Sequence, residues 1–235
     1  MGTILISAIA ERAWTIANDT KGVQGVRWPG EEALLWHNDA QREIVINLPS
    51  AFVKATKPTT QAGTRQTLTA LGITDGLQPI RVPRNYSADG NTPGRAIIPR
   101  PMSWLDEQRP NWHNDSPGEA VHMMFDPNDP KAFYLWPPAP GNTKIELVYS
   151  AVPPEATNLN QPMALDDIYA TAEQYYMLFR FFSKNSIYTK NPQIAATNYQ
   201  LFLQSLGVKD ARVKALDANQ QMMQDGAGVA AAGNG

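Results

Sequence analysis

The sequence predicts an α+β protein in which a helical bundle, formed by the two ends of the chain, carries an inserted antiparallel, sandwich-like β domain. Three observations predict this class. Apolar residues recur at helical spacing near both ends, turn-forming residues separate short apolar segments in the middle, and most of the 19 prolines lie in the middle or just after it. We therefore expect a bundle at 1–50 and 163–207, a β domain at 51–162 and a flexible C-terminal arm at 208–235.

The composition is that of an ordinary soluble globular protein. Apolar residues make up 43% and charged residues 18% of the 235 residues, and the formal net charge is -2, which argues against a basic nucleic-acid-binding protein. Because the chain has no cysteine, thiol catalysis, cysteine-based zinc sites and a disulfide-built secreted module are excluded. We expect no signal peptide and no membrane anchor, since no apolar run approaches the roughly 20 residues of a membrane span.

The N-terminal part of the bundle is predicted to contain two helices. The first runs from Ser7 to about Asn18, with Ser7 as its N-cap. The second has Pro29 at its first position and Glu31–Glu32 in its first turn, and it ends at Pro49. Its apolar face follows steps of three and four residues: Ala33, Trp36, Ala40, Ile44 and Leu48.

The middle of the chain is predicted to form roughly six to eight short strands. The clearest hairpin pairs Val121–Phe125 with Ala132–Trp136 across a turn at Asp126–Pro130, where Asp and Asn side chains bond their own backbone and prolines preset φ. The prolines at Pro137–Pro138 are expected to stop the second strand. A short helix is expected within this domain at Met102–Arg109.

Two further helices are predicted to complete the bundle after a linker at Pro153–Pro162. The first begins at Leu165–Asp167 and the second at Asn191–Pro192. The first of these two is apolar on several sides, so we expect more than one neighbour to contact it. Its apolar residues are Ile168, Tyr169, Ala172, Tyr175, Tyr176, Leu178, Phe179, Phe181 and Phe182.

The segment 208–235 is predicted to be a docking arm. Apolar residues keep helical spacing in its first part, but the last ten residues carry no charge and little that packs. A flexible segment with a few regularly spaced apolar positions can become ordered on a partner. A frayed terminus without a role is the alternative.

The titratable residues do not form a recognisable catalytic or metal site. His37, His113 and His122 have no metal-ligand spacing, and the sequence contains no His-Glu-x-x-His motif and no glycine-rich phosphate loop. His37 and His122 are expected to be structural or surface residues, because catalysis also needs a nucleophile and an orienting acid. We therefore expect no cofactor, no metal and no enzymatic activity.

A glycan hydrolase or sugar-binding module is the main alternative. Two acid pairs, Glu31–Glu32 and Asp166–Asp167, motivate it, but adjacent residues on a helix do not face each other across a cleft. Both pairs lie at predicted helix starts, where capping and the helix dipole account for them. Four aromatic residues can stack on sugars or bases, although such residues more often fill a core: Trp104, Trp112, Tyr134 and Trp136.

Four segments of the chain together carry a family resemblance. They are Val26–Pro29 with Leu34–Ile44, Ala62–Gln66, Phe125–Pro127 with Phe133–Pro138, and Ala164–Ala170 leading into Phe182–Lys184 and Tyr199–Phe202. Through them the chain, from about residue 4 to residue 208, resembles the adaptor (head-to-tail connector) proteins of tailed bacteriophages, particularly those of short-tailed phages.

The resemblance implies a non-enzymatic virion protein at the head-tail junction, assembled in the host cytoplasm. Such proteins usually form a ring of twelve copies beneath the portal and present a platform to the tail tube or nozzle, while double-stranded DNA passes through the channel without specific binding. A near-neutral composition agrees with passage without capture. With this resemblance the glycan-active alternative becomes a virion-associated one, and a host enzyme with a sandwich domain is a third alternative.

The resemblance also implies a role for the arm, because several members reach the portal through a C-terminal extension. We therefore expect a portal contact within 208–235. The residues expected to make it are Val208, Ala211, Val213, Leu216, Met222 and Met223.

Overall fold

The structure, a computed structural model, describes residues 2–19, 27–184 and 190–207. Within them the chain forms two compact units. Pro49–Pro153 form a β unit, and the chain up to Leu48 and from Pro154 forms a helical unit. The predicted α+β class is confirmed.

In its described residues the helical unit contains four α-helices: α1 (Ile6–Ile16), α2 (Gly30–Asn47), α4 (Ala170–Lys184) and α5 (residues 191–207). The short helix α3 (Met102–Gln108) belongs to the β unit. Both α1 and α2 pack on α4, and aromatic rings join α4 to α5. Several neighbours therefore contact α4, as its apolar sides predict.

The first turn of α1 is capped by the backbone, so the prediction that Ser7 is its N-cap was wrong. Leu5 occupies the N-cap position and makes no side-chain cap. The amide of Ile6 donates to the carbonyl of Gln161 at 3.1 Å, and the amide of Ser7 donates to that of Leu159 at 2.8 Å. A distant loop thus satisfies donors that a capping side chain would otherwise take. The start of α2 also differs by one residue, because Pro29 is its N-cap and Gly30 its first residue.

An aromatic core holds the helical unit together. The ring of Trp28 is fully buried and stacks on Phe181, with 4.8 Å between ring centroids and 9° between ring planes. Phe182 meets the same ring edge-on at 5.9 Å, and Trp36 contacts Phe181 at 5.3 Å. The indole nitrogen of Trp14 donates to the Trp28 carbonyl at 2.9 Å. Residues from before α2, from α1, α2 and α4 therefore share one core.

Ten strands form three small sheets in the β unit. In chain order they are β1 (Val53–Thr56), β2 (Ala62–Thr67), β3 (Gly76–Arg81), β4 (Arg84–Tyr86), β5 (Pro93–Ala96), β6 (Ile98–Pro99), β7 (His122–Met124), β8 (Ala132–Pro140), β9 (Lys144–Ile145) and β10 (Leu147–Ala151). The sheet orders are β1-β10-β3, β2-β8-β7-β6 and β5-β4-β9. All pairs are antiparallel except β6 with β7. The predicted helix at Met102 is present as α3.

The hairpin predicted around residues 126–130 is confirmed, because β7 and β8 pair antiparallel with His122 opposite Trp136. The prediction that Pro137 and Pro138 stop the second strand was wrong, since β8 continues to Pro140. Prolines lack an amide hydrogen but keep an acceptor, and the Pro138 carbonyl accepts from the amide of Gly118 at 2.9 Å. Pairing with β2 then carries the strand to its end.

Candidate assembly surface

The most exposed aliphatic side chains of the described residues lie on the helical unit. Ile16, Leu35, Ile46 and Ile168 are 60–67% exposed, whereas the most exposed aliphatic side chain of the β unit, Ile98, reaches 47%. Exposed aliphatic side chains have no reactive group, and they suit contact with another protein. The outer faces of the helices are therefore the candidate functional surface.

The outer face of α2 forms a ridge of mixed character, which we call the α2 ridge: Leu35, Asp39, Arg42 and Ile46. These positions share one side of the helix because they are spaced by three or four residues. Asp39 lies 3.6 Å from Arg42 and 3.7 Å from Arg180 of α4, and Arg42 also pairs with Glu155. The two charges thus lie between two exposed aliphatic side chains.

The outer face of α1 forms a shallow depression of about 490 Å³, which we call the α1 groove. Its lining residues are Ala8, Glu11, Arg12, Thr15 and Ile16 of α1 with Gln174 of α4. Glu11 and Arg12 make no ion pair with any other described residue. Their charges are therefore directed to solvent.

A buried polar network joins α2 to α4 beneath these surfaces. The side chains of His37 and Glu173 are fully buried, and His37 Nδ1 lies 2.9 Å from Glu173 Oε2. On its other side His37 Nε2 lies 2.8 Å from Gln41 Nε2. Gln41 Oε1 in turn accepts from the amides of Ala164 at 3.0 Å and Leu165 at 3.3 Å.

The backbone contacts of Gln41 determine the histidine tautomer. Because two amides donate to Gln41 Oε1, the Gln41 NH₂ group must face His37, and His37 Nε2 must accept from it. The imidazole proton is then on Nδ1 and is donated to Glu173. Glu173 Oε1 has no partner among the described residues. The network fixes helix register and contains no nucleophile, so its geometry is structural.

Replacing Glu173 with glutamine is expected to remove a pH dependence of the free energy of unfolding. Burial raises the pKa of Glu173 above its ordinary value of 4.5, against the opposing His37 hydrogen bond. The folded state therefore binds the proton more tightly, so this contribution is fully present below pH 4.5 and is lost as the pH rises through the folded-state pKa. Glutamine mimics the protonated acid at every pH. The stability of Glu173→Gln relative to the wild type should increase across that window in urea titrations.

The matched control is Glu31→Gln at an exposed position of α2. The comparison isolates the effect of burial, because Glu31→Gln makes the same chemical change in a side chain that is exposed to solvent. Parallel pH curves for the wild type and Glu173→Gln would contradict the assignment.

The other two histidines lie in the β unit and have structural surroundings. His113 Nδ1 lies 2.8 Å from the Thr64 hydroxyl. His122 lies between two indoles, stacked on Trp136 at 5.7 Å and edge-on to Trp104 at 5.2 Å, and burial lowers its pKa. His37 and His122 are therefore buried structural residues.

Three of the four acids in the two acid pairs have structural partners. Asp166 caps the turn that precedes α4 by accepting from the amide of Ile168. Asp167 accepts from the Thr3 amide and hydroxyl, both at 2.6 Å, and the hydrogen bond from the hydroxyl is the main cause that lowers the Asp167 pKa. Glu32 pairs with Lys184 at the end of α4. Capping and ion pairing explain these acids, and the glycan hydrolase alternative gains no support from them.

The four aromatic residues considered for sugar stacking pack against their own neighbours. Trp112 is fully buried and donates its indole hydrogen to Asp106 at 2.8 Å. Trp136 donates to Asp115 at 2.8 Å, and the Arg109 guanidinium lies 5.2 Å from its ring. Trp104 and Tyr134 border the same cluster. These rings form a small second core, which agrees with the expectation that such aromatic residues more often fill a core than stack on sugars.

The residues expected to contact a portal all lie outside the described part of the chain. They are Val208, Ala211, Val213, Leu216, Met222 and Met223. Sequence reasoning missed the α2 ridge, although Leu35 and Ile46 lie outside the apolar stripe of α2 and are its signal. Their position on the polar side of an amphipathic helix marks them as surface residues.

Comparison with protein families identifies the family of the chain. A family model described as SU10 adaptor protein matches residues 4–227. No curated protein matches the chain. Within the described residues, no cluster of acidic and histidine side chains is placed to hold a metal ion, and none of the helices there is long and apolar enough to cross a membrane.

Proposed function

Because the chain belongs to the SU10 adaptor protein family, a bacteriophage adaptor family with a structural role, we propose that it forms a ring between the portal and the tail tube or nozzle. The ring, of about twelve copies, is a closed cyclic assembly of one chain. It lies at the neck of the virion, after assembly in the host cytoplasm. The match over residues 4–227 carries this proposal.

The physical properties of the chain support the proposal. A ring of identical copies needs two different contact faces on each copy, and the helical unit has exposed aliphatic side chains on two helices. A channel for DNA requires weak phosphate binding, because each phosphate contact slows translocation. The formal net charge of -2 suits double-stranded DNA that passes without specific binding.

We propose a separate role for each of three parts of the chain. The bundle at 1–50 and 163–207 supplies the contacts between copies, the β domain at 51–162 is inserted between the two parts of the bundle in the sequence, and the arm at 208–235 contacts the portal. Six apolar positions make that contact: Val208, Ala211, Val213, Leu216, Met222 and Met223.

Removing residues 208–235 is expected to abolish or greatly weaken binding to purified portal rings, because the proposed contact positions are lost while the described helices are kept. The measurement is co-sedimentation of the truncated chain with portal rings. A shorter truncation that removes only 226–235 is the control, since it keeps all six positions and should bind as the full chain does. Unchanged binding after removal of 208–235 would reject the arm as the portal contact.

A further inference from the structure

We propose that the α2 ridge of one copy binds the α1 groove of the next copy around the ring. This contact rests on the proposed ring and assigns its interface. Each copy then contacts one neighbour through its α1 groove and the other neighbour through its α2 ridge, as a heterologous contact requires.

The two surfaces lie on different sides of α4. Gln174 of α4 borders the α1 groove, whereas Arg180 of α4 contacts Asp39 of the α2 ridge. Two positions six residues apart on an α-helix point about 120° from each other. The same copy can therefore present both surfaces at once, so the contact does not have to end at a dimer.

Aliphatic side chains of the two surfaces can meet at one end of the contact. Leu35 and Ile46, 63% and 67% exposed, project from the ridge about 16 Å apart along the axis. The groove extends along α1 from Ala8 to Ile16, which corresponds to about 12 Å, and ends at an isoleucine that is 60% exposed. When Leu35 of one copy packs on Ile16 of the next, apolar surface of both copies is buried, and Ile46 lies beyond the other end of the groove.

The charges of the two surfaces also match. The ridge carries one acid and one base, Asp39 and Arg42, whose side chains are 39% and 43% exposed. The groove carries Glu11 and Arg12, which have no ion-pair partner within the described chain. Opposite pairing across the contact, Arg42 with Glu11 and Asp39 with Arg12, adds attraction without net charge. This complementarity within one sequence favours a second copy of the chain as the occupant.

Cysteine cross-linking tests the contact, because the chain contains no cysteine of its own. Full-length Leu35→Cys and Ile16→Cys variants are mixed in equal amounts with portal rings and treated with a short bismaleimide. We expect cross-linked dimers in the mixture and none when either variant is used alone. The double variant Leu35→Cys/Ile16→Cys should give a ladder that ends at the closed ring.

Ile168→Cys is the matched control, since Ile168 is as exposed as Ile16 and lies outside the groove. Its mixture with Leu35→Cys should give no dimer. Cross-linked dimers of Leu35→Cys alone would overturn the proposed contact. Equal dimer yields when Leu35→Cys is mixed with Ile16→Cys and with Ile168→Cys would overturn it as well. Electron microscopy of the same samples distinguishes the proposed contact from the proposed function. Rings on the portal without the Leu35–Ile16 cross-link reject only the contact. The absence of rings on the portal rejects the proposed function as well.

Discussion

Replacing His37 with alanine is expected to destabilise the helical unit by about 3–5 kcal/mol, because the substitution leaves a cavity and also leaves a buried carboxyl group without its hydrogen bond. Among the described residues, Glu173 Oε2 would lose its only hydrogen-bond donor, and Oε1 already has none. The side chain of Glu173 is fully buried, so solvent does not reach its carboxyl group in the folded wild type. Urea unfolding followed by far-ultraviolet circular dichroism measures the loss.

A second variant separates polar pairing from packing. His37→Leu combined with Glu173→Leu replaces both polar groups by apolar ones, and we expect it to recover most of the stability that His37→Ala loses. Arg12→Ala is the control at an exposed position of α1 that makes no ion pair with another described residue, and its effect should stay within about 0.5 kcal/mol. If the double leucine variant were less stable than His37→Ala, the pairing would contribute more than its burial costs, and the argument would fail.

Replacing Trp28 with alanine is expected to cost about 3–5 kcal/mol, the range for a large aromatic side chain in a core. Trp28 is fully buried and contacts both Phe181 and Phe182, so the substitution leaves a cavity between α4 and the start of α2. The hydrogen bond from Trp14 to the backbone of residue 28 involves only its carbonyl and can persist. Thermal or urea unfolding measures the change.

Trp28→Phe is the matched control, because a smaller ring keeps the stacking on Phe181 and should lose less than the alanine variant. Trp104→Ala provides the comparison at a half-buried indole of the β unit. A loss below about 1 kcal/mol in Trp28→Ala would show that the aromatic core is not the main source of stability.

Local sequence patterns predicted the α+β class and the β7–β8 hairpin, because spacing and turn residues act within a few positions. They could not predict contacts that the fold brings from far away. Leu159 and Gln161 replace a side-chain cap on α1, and Glu173 meets His37 across 136 positions. The extension of β8 past Pro137 depends on pairing with β2, which the hairpin sequence alone does not contain.

The candidate assembly surface also has one part that local sequence predicts and one part that depends on distant contacts. The α2 ridge can be predicted from two aliphatic residues on the polar side of a predicted helix. The α1 groove cannot, because one of its lining residues, Gln174, lies 158 positions after Ile16 in the sequence. The arm at 208–235 stays a prediction that rests on the resemblance and on the spacing of its apolar residues.

The division of the helical unit by the β unit has a consequence for biosynthesis. Helices α1 and α2 leave the ribosome before residues 49–153, and α4, which covers their apolar faces, leaves after them. At about 5–20 residues per second, translation of that intervening stretch takes several seconds. We therefore expect the β unit, whose strands are contiguous in the chain, to complete its folding first. Until α4 is synthesised, the apolar faces of α1 and α2 stay uncovered and accessible to chaperones.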